Sequence, residues 1–259
     1  MVEKSEHAAG SRIWVDLGSP DVSASSRFYA EVFGWETGEA GDPETTGGYA
    51  MFLLRGKNVA GLAPLMSEGQ PPAWTSYVAT DDVDKTAELV TSNGGNVVMP
   101  PMDVLDSGRM GLFTDPTGAV FGVWQPQKHI GAEIVNEPGA VCWFELTSRD
   151  TTAASAFYPE VFGWTADTSS MEEMNYTVFK SGDQDVAGLM GTPDQVPAEI
   201  PSYWMPYFEV ADTDHTVATA EANGASVILR AHDVPTVGRI GILRDPHGAT
   251  FGVLQATPA

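Results

Sequence analysis

The sequence predicts an α+β protein made of two tandem copies of one module. Two observations carry this. Motifs return along the whole chain at a nearly constant offset, and each copy alternates strand-type and helix-type segments in the order β-α-β-β-β, twice per module. Trp14-Val15-Asp16-Leu17 returns as Trp143-Phe144-Glu145-Leu146, an offset of 129. Val32-Phe33-Gly34-Trp35 returns as Val161-Phe162-Gly163-Trp164 at the same offset, and Gly108-Arg109 as Gly238-Arg239 at 130. DPTGAVFGVWQ from Asp115 matches DPHGATFGVLQ from Asp245 at eight of eleven positions. A period near 130 is too long for a solenoid, whose units are roughly 20–50 residues. The expected organisation is a loose tail over 1–10, modules over 11–126 and 141–256, and a linker over 127–140 with Pro138 and Gly139.

The elements of the first module follow in order. Ile13, Val15 and Leu17 alternate with Trp14 and Asp16, the pattern of a half-buried strand. Asp21 is placed to cap a helix. Phe28, Tyr29, Val32 and Phe33 fall at helical spacing, and Gly34 ends that helix. Tyr49–Leu54 and Val59–Leu62 read as strands about a Gly56-Lys57 turn, and Ser76–Thr80 as another. Asp81 or Asp82 starts a second helix, which runs through Val90 and stops at Gly94-Gly95. Val97–Met99, Met110–Phe113 and Ala119–Trp124 are strand-like. No Gly-rich dinucleotide fingerprint follows any strand.

Composition narrows the function. Thirteen Lys and Arg against thirty-five Asp and Glu leave a net charge of −22. That argues against a nucleic-acid partner, which needs clustered cations, and disfavours an anionic membrane. It suits a neutral or cationic small ligand, although solubility alone also accounts for it. A single cysteine, Cys142, rules out an internal disulfide and Cys-rich metal centres. The start, MVEKSEHAAGSR, lacks a signal-type apolar stretch, and no apolar run approaches eighteen residues. A cytoplasmic monomer or homodimer is the expectation.

A strand, then S-P-D, then S-x-x-F-Y-x-x-V-F-G-W, then D-D-V-D and D-P-x-G, resembles the vicinal oxygen chelate superfamily of glyoxalases, extradiol dioxygenases and bleomycin-resistance-type binding proteins. It is closest to the two-module glyoxalase-like proteins of actinobacteria. The resemblance implies paired βαβββ units that form a curved mixed sheet around a cleft in each module. It also implies three metal-ligand positions per module. Here these carry Trp14, Thr75 and Gly122, then Trp143, Met205 and Gly252. None is a strong ligand: indole has no lone pair to give, and glycine has no side chain. None of the five His residues supplies a pair at metal-ligand spacing. No metal and no cofactor are therefore expected.

If the old ligand positions face the cleft, strand alternation brings others with them. The candidate wall is Trp14, Thr75, Tyr77 and Trp124 in the first module, and Trp143, Met205, Tyr207 and Glu209 in the second. Asp16 and Glu145 are the candidate catalytic or ligand-polar groups, and Gly122 and Gly252 would leave floor space. Flat indole and phenol faces suit a planar or cationic aromatic ligand. Carboxyls in an apolar cleft can acquire raised pKa values suited to acid–base work. Competing readings stay open. The indoles plug the clefts, or Asp16 and Glu145 form ion pairs with Arg109 and Arg239. The expected function is metal-independent binding of a planar aromatic or cationic small molecule, of a resistance or ligand-carrier type. The alternatives are a lyase, hydroxylase or oxygenase-type enzyme, or a helper, acting on an aromatic or polyketide-like substrate. A glyoxalase-type site with an unconventional metal, and degenerate modules used as interaction surfaces, complete the set.

Overall fold

The computed structural model describes residues 3–171 and 174–257; Met1 and Val2 of the expected tail lie outside them. The first copy runs β1 (Arg12–Ser19), α1 (Val22–Phe33), β2 (Glu36–Thr37), α2 (Pro43–Thr46), β3 (Ala50–Leu54), β4 (Lys57–Pro64), β5 (Ala73–Ala79), α3 (Val83–Ser92), β6 (Asn96–Val104), β7 (Gly108–Thr114) and β8 (Val120–Pro126). The second runs β9 (Val141–Ser148), α4 (Thr151–Phe162), β10 (Thr165–Met171), β11 (Met174–Ser181), β12 (Gln184–Gly191), β13 (Tyr203–Glu209), α5 (Thr213–Ala222), β14 (Ser226–Val234), β15 (Gly238–Arg244) and β16 (Thr250–Ala256). Each copy folds into one mixed eight-stranded sheet, ordered β2-β3-β4-β1-β5-β8-β7-β6 and β10-β11-β12-β9-β13-β16-β15-β14. The α+β tandem architecture is as the repeats predict.

Local chemistry explains the element boundaries. Asp21, Asp82, Asp150 and Asp212 each accept a backbone N–H of the first turn of their helix, which satisfies one of the orphan donors there. Gly34 and Gly163 close α1 and α4 at φ of 70° and 69°, a left-handed conformation that favours glycine. The sequence pattern does not reveal β2 and α2. It also stops β6 at Met99, where the structure carries it to Val104 past two prolines. Pro is tolerated in β6 because that strand is at the sheet edge.

The two copies share a core. Helix α1 packs on its own sheet and also on the second sheet: the Phe33 ring lies 5.0 Å from that of Phe208, and Phe28 lies 6.4 Å from Phe251. Helix α4 returns the exchange, with Phe157 6.1 Å from Phe121. A reciprocal pair of buried hydrogen bonds fastens this exchange. Tyr29 Oη donates to Asp245 Oδ2 at 3.0 Å, and Tyr158 Oη donates to Asp115 Oδ2 at 2.9 Å. Each tyrosine in turn accepts an indole N–H, from Trp74 at 3.0 Å and from Trp204 at 2.8 Å. The two D-P-x-G aspartates are therefore more than turn formers.

Residues 3–10, expected to be loose, are tied down instead. Glu3 bridges to Ile134, Lys4 N–H donates to Glu133 O, and Gly10 O accepts the Trp164 indole. Gly139 O accepts the Trp35 indole in the same way. Among the described residues no helix is long and apolar enough to cross a membrane.

Candidate functional site

Strand register defines the helix-free face of each sheet. One rung of the first module runs Met51–Gly61–Asp16–Thr75 across β3, β4, β1 and β5. The next runs Trp14–Tyr77–Gly122–Leu112–Met99, and a third carries Trp124, Met110 and Met102. The second module repeats this as Val178–Gly188–Glu145–Met205, then Trp143–Tyr207–Gly252–Ile242–Leu229, then Leu254, Ile240 and His232. The sequence-predicted residues all fall on these rungs: Glu209, at the end of β13 and two residues beyond Tyr207, pairs with Leu254 and extends the third rung of the second module.

On each face a carboxyl is held by two tyrosines beside an indole. Asp16 Oδ1 accepts the Trp14 indole N–H at 2.7 Å and a short hydrogen bond from Tyr49 Oη. The Trp14 N–H is shared with Tyr49 Oη at 2.8 Å. In the second module Tyr207 Oη donates to Glu145 Oε1 at 3.0 Å and Tyr176 Oη to Oε2 at 3.2 Å. The Trp143 indole donates to Tyr176 Oη at 3.0 Å. Burial pushes the pKa of Asp16 above the usual Asp value, against the opposing hydrogen bonds of Tyr49, Tyr77 and Trp14. Glu145 is pushed up for the same reason, opposed by Tyr207 and Tyr176. Burial, then the adjacent carboxyl, raises Tyr77, Tyr49 and Tyr207, so these phenols remain hydrogen-bond donors.

The glycines of these rungs are filled from the side rather than empty. A Cβ on Gly122 or Gly252 would stand 2.3 and 2.2 Å from the rings of Tyr77 and Tyr207. The floor space expected from the sequence is therefore taken by the two tyrosine rings. A Cβ on Gly61 would stand 2.1 Å from Asp16 Oδ1, and one on Gly188 2.9 Å from Trp143 Nε1. These two glycines let the cluster form.

Asp16 and Glu145 make no ion pair with Arg109 and Arg239. Arg109 binds Asp84 and Asp103, and Arg239 binds Asp214 and Asp233, all at the surface. The indoles are covered from within the chain. The ring of His129 meets Trp14 edge-on at 4.5 Å and Trp124 at 5.5 Å, while Trp124 Nε1 donates to His129 O at 2.9 Å. Burial lowers the His129 pKa to about 4. The Arg12 guanidinium stands 5.2 Å over the Trp143 ring and donates to Val186 O at 2.8 Å. Cys142 donates to Tyr207 O at 3.4 Å, and burial pushes its thiol up to about 12, which keeps it unreactive.

Tyr49, Tyr176, Gly61 and Gly188 are site residues that the sequence pattern does not single out. A signal for them exists. Tyr49 and Tyr176, and Gly61-Leu62 and Gly188-Leu189, recur at a common offset of 127.

The metal that the resemblance implies for metal-dependent members finds no fitting donor set here. The rungs bring together indole, phenol, threonine, methionine and glycine around one carboxyl each, which already accepts at least two hydrogen bonds. Among the described residues no three His, Cys, Asp or Glu side chains converge as a metal would need.

Fold and site together describe a duplicated glyoxalase-type scaffold that carries one carboxyl–tyrosine–indole cluster on each sheet. The chain belongs to the Glyoxalase/Bleomycin resistance protein/Dioxygenase superfamily, whose sequence model matches residues 11–123 and 129–253. It is 45% identical over 264 aligned positions to the putative glyoxylase CFP32 of Mycobacterium tuberculosis, covering 100% of this chain and 99% of that protein. It is 40% identical to the anthracycline biosynthesis protein DnrV of Streptomyces peucetius, covering 96% and 94%. Among solved structures it resembles the Mn(II)-bound glyoxalase of Novosphingobium aromaticivorans, with a TM-score of 0.66, 18% identity and coverage of 95% and 82%. It also resembles the 2,3-dioxygenase LapB of Pseudomonas sp. KL28, with a TM-score of 0.65, 12% identity and coverage of 96% and 94%. At these identities the structural likeness concerns the fold.

Proposed function

We propose that this protein binds a planar aromatic small molecule on the helix-free face of a module, without a metal, in the cytoplasm. The observation that carries the reading is the carboxyl–tyrosine–indole cluster, which stands where the fold would otherwise present metal ligands. The buried indole and phenol rings hold the carboxyl in place, while half-buried Asp16 and Tyr49 keep one acceptor and one phenol within reach, a combination that orients a planar ring bearing a hydroxyl or amine. The 40% identity to an anthracycline biosynthesis protein over nearly both chains supports a polycyclic aromatic ligand. The net charge of −22 favours a neutral or cationic ligand over an anionic one.

A second reading, an acid–base enzyme or helper acting on such a molecule, is supported by the raised pKa of Asp16. A carboxyl with a raised pKa, hydrogen-bonded to a phenol, can take a proton from a bound hydroxyl and return it. Fluorescence titration with 1,4-dihydroxyanthraquinone and with a cationic acridine, each with and without chelator, tests the proposal. Saturable binding that chelator leaves unchanged is expected. Failure of both probes to bind, or binding only with added divalent metal, would overturn it.

A further inference from the structure

The two clefts have the same plan but differ in access. We infer that the ligand-binding cleft is that of the first module, that Thr75 is the residue that opens it, and that a methionine wall grips the flat face of the ligand. This rests on the functional reading above.

The argument starts on the rung that holds each carboxyl. In the first module the cross-strand neighbour of Asp16 is Thr75, short and half-buried, and Asp16 itself is half-buried. In the second, the neighbour of Glu145 is Met205, which is 2% exposed, and Glu145 is 9% exposed. Met205 and Glu145 are buried together, whereas the shorter Thr75 and its partner Asp16 both keep part of their surface exposed. The far end of each cleft is closed. His129 covers Trp14, which is 3% exposed, and Arg12 covers Trp143. The Thr75 end is thus the approach to a carboxyl that remains. The guanidinium of Arg12 also repels a cationic ligand from the second cleft, while the first holds no stacked cation among the described residues.

The walls differ as well. On the same face as Asp16, register places Met51, Met99, Met102 and Met110. Met102 is exposed and the other three are half-buried. The equivalent places in the second module hold Val178, Leu229, His232 and Ile240. Unbranched, polarisable thioethers adapt to flat ligands and make favourable sulfur–aromatic contacts, whereas branched aliphatics hold one shape. Four methionines on the same sheet face as a half-buried carboxyl, one of them on its rung and three on the far strands β6 and β7, therefore select a planar aromatic molecule carrying a hydrogen-bond donor at one edge.

Titration of the full chain with 1,4-dihydroxyanthraquinone tests this. The expected result is one probe per chain, at least a tenfold loss of affinity in Thr75→Met, and retention within about twofold in Thr75→Ser. A chain with Met51, Met99 and Met110 all changed to Leu preserves core volume, keeps the inference testable if Thr75→Met fails to fold, and should bind several-fold more weakly. Wild-type-like binding in Thr75→Met or in the triple Leu variant would overturn the inference while leaving the functional reading intact. So would loss of binding in Glu145→Gln with retention in Asp16→Asn, or a stoichiometry of two. A wild-type chain that binds neither this probe nor the acridine would sink the functional reading itself.

Discussion

Asp16 and Glu145 are ionisable groups surrounded by their own donors, and their raised pKa values have a consequence for stability. A carboxyl whose folded pKa lies above its unfolded value stabilises the fold below the unfolded pKa and loses that contribution as pH rises through the folded one. Replacing both by Asn and Gln should therefore flatten the pH dependence of the melting temperature above about pH 4, the ordinary carboxyl range. Thermal denaturation at closely spaced pH values checks this. His129 acts in the opposite sense. Its pKa is lowered to about 4 from 6.5, so its contribution is complete above pH 6.5 and is lost as pH falls toward 4. A tenfold change in a proton affinity is worth about 1.4 kcal/mol, so the loss is large enough to measure. His129→Phe should retain the edge contact with Trp14 and remove this acid-side loss, seen as a smaller drop in melting temperature between pH 7 and 4.5 than the wild type shows.

At the level of elements, alternation along β1, β5, β8 and their repeats is readable in the sequence because each strand has one polar-aromatic and one apolar face. That places Asp16, Tyr77, Glu145 and Tyr207 together correctly. Tyr49 and Tyr176 escape because one lies immediately before β3 and the other in β11, hairpin strands whose register against β4 and β12 depends on bulges, at Phe52/Leu53 and Phe179/Lys180. A one-residue slip there reverses every side chain, and sequence pattern does not fix it. The filled floor escapes for a related reason. A glycine in a strand signals a close approach but not what approaches, which here is the ring of Tyr77 or Tyr207. Gly122→Ala should accordingly be destabilising by about 1–3 kcal/mol through overpacking, measurable by urea denaturation. If it matches the wild type, the ring is free to move and the floor is open.

At the scale of the whole molecule the repeat is legible, but the sharing of one core between the copies is not. Phe28, Tyr29 and Phe33 show only helical spacing in the sequence, and nothing in one module's sequence says that its first helix serves both sheets. Because α1 and α4 are exchanged in this way, the chain should unfold in a single transition, with equal calorimetric and van't Hoff enthalpies. Two resolved peaks would contradict the shared core. Tyr158→Phe should lower stability by several kcal/mol, since it strands both Asp115 Oδ2 and the Trp204 indole, each costing about 1–3 kcal/mol when left unpaired and buried. The same substitution at Tyr29 should cost a similar amount. Metal is not part of this account, and saturating chelator should leave the melting temperature unchanged.

The exchange of helices also bears on how the two halves diverge. Two identical chains packed in this manner would carry every substitution twice, once at each carboxyl. Fused in one chain, the halves can keep the mutual lock of Tyr29 with Asp245 and Tyr158 with Asp115 in duplicate while the pockets drift apart. Thr75 against Met205, Trp124 against Leu254 and Met110 against Ile240 mark that freedom: the equivalence of the halves is kept where they hold each other and lost across the helix-free faces.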